Sequence, residues 1–205
     1  LIKLAGPVGL VVVAALLGSV ASSSTEIYFI NALVAVAIVV SIYVFVGNSG
    51  VVSFGHISFV AVGAWTAGVL SVPVTEKPAI MQYLFPVLRD HTIGNVPSLL
   101  AAAAVGGVYA LLVGLPLMRL SGLAAGIATF GVLEITHNLL REWTRIGPGA
   151  TTLSLVPEST DARQATVGAL IVVGVAFVYQ RSRLGRLLRA TREDPAAATG
   201  VGVSV

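Results

Sequence analysis

ATVGALIVVGVAFVYQRSRLGRLLRATREDPAAATGVGV, residues 165–203, is an apolar run that passes without a linker into a basic, small-residue segment. Residues 165–179 read as the last visible span, short but clearly bounded by Gln180 and Arg181. Beyond them Arg181, Arg183, Arg186, Arg189 and Arg192 stand against Glu193 and Asp194, which the positive-inside rule assigns to the cytoplasmic side. Two readings of this basic segment stay open. It is either a solvated anchor beside the span, or a short amphipathic helix in which Arg186, Leu187, Ala190, Ala197 and Ala198 offer a small face to a groove on another protein. Pro195 marks a break or the first turn of a second helix.

The composition agrees with a bilayer environment. Of the 205 residues, 56% are hydrophobic and 10% charged, far too much apolar surface for a water-soluble domain. The net charge of +3 does not point to nucleic acid, because the arginines concentrate where a membrane topology puts them. There is no cysteine, which excludes disulfides and thiolate metal sites.

The expected fold is all-α, a polytopic membrane helical bundle of about six spans. Residues 5–21, after Lys3, form an apolar run of minimum spanning length, with a cleavable signal as the rival reading. Residues 27–46 form a firmer span, with Tyr28 and Phe29 at one end and Tyr43 and Phe45 at the other. Residues 56–72, 97–118 and 121–140 follow, with small faces at Gly63, Ala64, Ala67 and Gly68 and at Gly106, Ala110 and Gly114. Loops at 73–96 and 141–164 separate them; the first is polar and punctuated by Pro73, Pro78 and Pro86.

Between the second and third spans, GNSGVVSFGHISFVAVGAW (residues 47–65) predicts a broken helix near 47–56. Gly47, Gly50 and Gly55 interrupt the helix, and Asn48, Ser49 and Ser53 supply polar groups for the freed backbone. This is where a translocation pathway is expected, with Gly50, Ser53, Gly55, His56 and Glu134 as its candidate residues. Glu134 lies with His137 and Asn138 within one turn of its span, and a carboxylate there must face the bundle interior, water or a partner. It serves either in packing or in transport, as His56 serves either as a helix-start anchor or in the pathway.

Alternating through six spans from a cytoplasmic basic segment puts Lys3, Arg119 and the five arginines inside. That side carries seven cations against two acids, the other five cations against six acids. The asymmetry places both visible ends inside.

The chain offers no catalytic centre. Lys3 and Lys77 follow Ile2 and Glu76, so no G-x-x-x-x-G-K-[ST] phosphate loop exists. His56, His91 and His137 form no H-E-x-x-H pair, and Ser53 in Gly50–Gly55 misses the G-x-S-x-G spacing. The expectation is a chain that is not an enzyme and holds no metal or cofactor.

Three motifs carry a resemblance. SGVVSFGHISFVAVGAW, LVGLPLMRLSGLAAGIATFGVLEI and SRLGRLLRATREDPAAATGVGV, in this order and spacing, resemble the permease subunit of bacterial branched-chain amino-acid ABC importers of the LivM type, over roughly residues 30–205. The resemblance implies a single permease domain over 1–205, incomplete at its C-terminus, in the bacterial inner membrane. It implies that 181–203 is the cytoplasmic loop coupling to the ATPases, through Gly185, Arg186, Arg189, Arg192, Asp194, Ala197, Ala198 and Gly202. The implied partners are two cytoplasmic ATPase subunits that bind ATP and Mg, a second homologous permease subunit, a soluble substrate-binding protein and membrane lipid. Similar permeases serve urea and short amides, so those cargoes stand beside branched-chain amino acids. An ion-coupled secondary transporter, sharing the broken helix and Glu134, is the alternative from another class, and an assembly subunit without a passage is a third. The chain departs from the family at Trp65, where tyrosine is usual, at residues 146–150, and at Pro195 and Thr199.

Overall fold

The computed structural model describes residues 2–20, 22–117, 119–120, 122–157 and 160–200. Among these every regular element is a helix, in the order α1 (Ile2–Val20), α2 (Ser23–Ser49), α3 (His56–Ser71), α4 (Lys77–Ile80), α5 (Pro86–Arg89), α6 (Asn95–Leu117), α7 (Gly122–Glu142), α8 (Ala162–Arg181), α9 (Arg183–Glu193) and α10 (Pro195–Gly200). Ala21, Met118, Ser121 and Gly202, which the sequence reading used as span ends or coupling residues, lie outside the described residues.

The all-α bundle is as expected, and the count of about six spans is met in part. Among the described residues four helices, α2, α6, α7 and α8, are long and apolar enough to cross a membrane, while α1 and α3 carry shorter apolar stretches, Ala5–Val20 and His56–Ser71. The reason is clear in α3. It starts only after the break and stops before Pro73, so its 16 residues extend about 24 Å at the helical rise, short of a hydrocarbon core about 30 Å thick.

The chain divides into two compact units, Leu1–Val51 with Thr160–Val205, and Val52–Ser159. In the first, α8 packs on α1 and α2 through Ala165, Ala169 and Val173, which bury against Val11 and Leu33. Val167, Ile171, Val175 and Val178 repeat on the opposite side of α8 at the same spacing and are exposed. Small residues face protein and large ones face outward. In lipid a leucine gains nothing by leaving an apolar solvent, so close approach of backbones decides the packing face.

In the second unit α3 and α6 form the main helix pair. Backbone meets backbone there: Cβ atoms added at Gly63 and Gly106 would lie 4.0 Å from the Ala102 carbonyl and 3.9 Å from the Phe59 carbonyl. The residues between α3 and α6 are more than a polar loop. Val69, Val72, Met81 and Leu84 make a small core, flanked by Trp65, Ile80, Leu88 and Leu153. Lys77 is fully buried beside it, its Nζ donating to the Leu88 carbonyl at 2.6 Å and to the His91 carbonyl at 2.5 Å. Burial lowers the Lys77 ammonium from its ordinary value.

Candidate functional site

The break is sharper than the sequence suggested, and shorter. Gly47, Asn48 and Ser49 complete α2, with Asn48 Nδ2 donating to Val44 O at 2.6 Å and Ser49 Oγ to Phe45 O at 2.8 Å. Gly50 then caps the helix at φ 72°, its N–H returned to Val46 O at 2.9 Å. A left-handed cap of this kind is where glycine escapes the Cβ clash. Residues 51–53 have no regular structure, and α3 starts at His56.

Within the second unit the freed backbone is met by a residue that sequence reasoning missed. Thr129 on α7 accepts the Phe54 N–H at 3.1 Å, and a Cβ on Gly55 would come within 2.9 Å of the Thr129 carbonyl. Gly55 O accepts from Ser58 Oγ at 2.5 Å. Hence Ser53 and Gly55 lie in a segment seated on α7. His56 opens α3 and stands edge-on to Phe59, which stands edge-on to Tyr109 of α6, each pair at 5.7 Å. The Tyr109 hydroxyl bonds that of Thr136 on α7. His56 therefore begins a ring ladder that ties three helices.

Glu134 is not part of this arrangement. Residues five apart differ by about 140° round a helix axis, so Glu134 turns away from the face on which Thr129 receives the break. It is exposed, and its carboxylate accepts from Asn138 Nδ2 at 2.8 Å. Thr136 returns to the Thr129 side of α7, while Arg141, seven residues on from Glu134, stands near the Glu134 side. Thr136, His137 and Arg141 line a cleft of about 620 Å³ with Ser58, Ala61 and Trp65 of α3 and with Gly149, Ala150, Thr151 and Leu153. Trp65 donates its indole N–H to Ile146 O at 3.1 Å, and a Cβ on Gly147 would fall on the Trp65 ring. A second, more apolar cavity of about 620 Å³ lies beyond Trp65, Thr136 and Leu140, which line both. Helical periodicity over 133–141 could have found the stripe, but nothing in sequence pairs Trp65 with Gly147.

The basic segment folds as two helices, resolving the open reading of Pro195 in favour of a second first turn. Ser182 makes the elbow between α8 and α9. Its N–H returns to Val178 O at 2.9 Å, its Oγ donates to Tyr179 O at 2.7 Å, and the same Oγ accepts the Gly185 N–H at 3.1 Å. Gly185 is buried where a Cβ would strike the Tyr179 carbonyl, which explains the glycine.

Three arginines at three-residue spacing then turn back on helix ends. Arg186 donates to Arg181 O at 3.0 Å, Arg189 to Gln180 O, and Arg192 to Gly47 O at 2.5 Å. The last carbonyls of a helix lack intrahelical donors and carry partial negative charge, so guanidinium groups suit them. Asp194 caps α10 by accepting the Ala196 N–H at 3.0 Å, and Ala198 is buried. Ala197 lies within α10. Among the described residues no three histidine, cysteine, aspartate or glutamate side chains gather as a metal site.

Residues 24–205 match the family described as the permease component of branched-chain amino acid transport systems. The high-affinity branched-chain amino acid transport system permease protein LivM of Escherichia coli (strain K12) is 29% identical over 195 residues, covering 78% of this chain and 42% of that protein. Its counterpart in Salmonella typhimurium is 27% identical over the same shares. The chain thus spans about two fifths of the length of these curated relatives. No solved structure matches. With spanning helices, a glycine-capped break, a helix bent off the last span, and a match that covers most of its length, the chain belongs to the permease-component family of branched-chain amino acid transport systems.

Proposed function

We propose that this chain is part of a permease subunit of an ATP-driven importer in a bacterial inner membrane, moving branched-chain amino acids by alternating access. The observation that carries the reading is α9: a basic helix bent sharply off the last span by Ser182 and held by its arginines, within a segment that the family match includes. In this reading α9 and α10 lie in the cytoplasm and couple to two ATPase subunits, which bind the ATP and Mg. A second permease subunit pairs with this one, and a soluble binding protein delivers cargo to the outer loops at 73–96 and 141–164.

The passage is lined by the break, through Ser53, Gly55 and His56, and the Glu134 side of α7, which turns away from the break, is a further candidate wall. An exposed carboxylate about 12 Å along the helix from its nearer end has no place against lipid tails, which favours water or a partner chain on that face. Backbone donors freed at a break suit a substrate carboxylate, and freed carbonyls suit an ammonium group.

The test is ATP hydrolysis by the full-length chain, reconstituted with its partner permease, ATPases and binding protein. Stimulation by leucine, isoleucine or valine supports the reading. Stimulation only by urea or short amides changes the cargo and keeps the importer. If no ATPase associates, an ion-coupled transporter takes its place. Uptake surviving Glu134→Ala removes that face from the passage.

A further inference from the structure

The end of α2 is completed by a side chain from far along the sequence. Gly50 turns the chain away at φ 72°, so Gly47 O loses the amide that a continuing helix would bring to it. α2 has no basic residue in its last turn. The vacancy is filled by Arg192, whose Nη1 donates to Gly47 O at 2.5 Å across 145 residues.

The fit extends to the stem. A Cβ on Gly50 would lie 2.9 Å from Arg192 Cγ and 3.1 Å from Cδ. Gly50 is thus required twice, by its backbone angle and by the side chain that lies on it. Arg186 and Arg189 tie α9 to the end of α8, and Arg192 alone of these three reaches α2.

We infer that Arg192 is a positioning residue that fastens α9 to the C-terminus of α2, so that displacement of α9 moves the edge of the break. The inference rests on the reading of α9 as the ATPase-coupling helix, and deepens it by giving Arg192, half exposed beside its bond to Gly47 O, a role within the chain. A charged hydrogen bond to a helix-end carbonyl is among the stronger single contacts available to such a link. The packing of Arg192 on Gly50 makes it directional, because the stem cannot slide toward α2 without meeting backbone.

The experiment compares wild type, Arg192→Gln, Arg192→Lys and Gly50→Ala in the full-length permease, reconstituted with its partner permease, ATPases and binding protein. Three quantities are read: ATPase co-purification, ATP hydrolysis, and substrate moved per ATP. For Arg192→Gln the ATPases still co-purify, while substrate moved per ATP falls about tenfold, the scale of a coupling between sites. Arg192→Lys, which still carries a donor to Gly47 O, recovers part of the ratio. Gly50→Ala, which displaces the stem and strains the cap, lowers the same ratio, and the double variant is no worse than Gly50→Ala alone because Arg192→Gln then removes a link already broken. Loss of ATPase co-purification in Arg192→Gln overturns the inference by making Arg192 a docking contact, and an unchanged ratio overturns it by removing the link. Failure of the wild-type chain to associate with any ATPase is a different result, since it removes the importer reading itself.

Discussion

The Thr129 hydroxyl receives the Phe54 backbone N–H at 3.1 Å while donating to Gly126 O at 2.7 Å. One side chain thus seats the break on α7 and returns its own proton to its helix. Thr129→Val keeps the shape and removes both roles, leaving the Phe54 N–H without this acceptor. We expect a loss of about 1–3 kcal/mol, the cost of an unmet buried polar group, and recovery with Thr129→Ser. Thermal unfolding in detergent measures both.

Trp65 separates two cavities and is held by its N–H on Ile146 O. Trp65→Phe removes that bond and part of the partition, at about 1 kcal/mol for the hydrogen bond alone. Gly147→Ala forces the same ring outward and costs about 1–3 kcal/mol by overpacking. Tryptophan fluorescence reports the Gly147 variant directly, as a shift in the Trp65 emission that Trp143 does not share.

Lys77 makes the segment between α3 and α6 pH-sensitive in a stated direction. Its folded value is lowered by burial, so between that value and the ordinary one of about 10.4 the unfolded segment holds a proton that the folded one has released. Stability therefore rises with pH through that window. Melting followed from neutral to alkaline pH gains this increment in wild type and lacks it in Lys77→Met. At neutral pH Lys77→Met lowers stability by about 2–3 kcal/mol, because Leu88 O and His91 O lose a charged donor.

The two stripes of α8 respond oppositely to size. Ala169 is fully buried against α1 and α2, whereas Ile171 is 59% exposed. Ala169→Leu costs about 1–3 kcal/mol by forcing backbones apart, while Ile171→Ala leaves the melting temperature within about 1 °C of wild type, as a surface change does.

What the sequence made legible follows the physics of each signal. Apolar runs gave α2, α6, α7 and α8 within a few residues, because hydropathy and length are local properties. The break was visible in Gly50 and Gly55, but its limits were not: Asn48 and Ser49 read as polar groups for the freed backbone and instead bond back within α2. Glu134 was singled out by its charge alone, and the charge carried no information about which side of α7 it occupies. The structural roles of Thr129, Trp65 and Lys77 are not legible in the sequence for a common reason. Each acts through a backbone carbonyl or amide distant in sequence, and a backbone partner leaves no mark in the residue pattern. Lys77 in particular read as one charge of a solvated loop, although its burial against two carbonyls is what organises that loop. The basic segment was legible only as a solvated anchor or an amphipathic helix, with Pro195 a break or a second first turn, and the reach of its arginines to helix-end carbonyls depends on where two other helices end.

At the elbow, one hydroxyl and one amide of Ser182 close the end of α8, and the same hydroxyl opens α9. A joint built that way has no slack. Rotating α9 about it breaks a bond on each side at once, and the buried Gly185 leaves no room for a gentler bend. α8 and α9 are therefore joined at a fixed angle, like the two arms of a crank. In the proposed importer, force on the short arm passes to the long one as tilt.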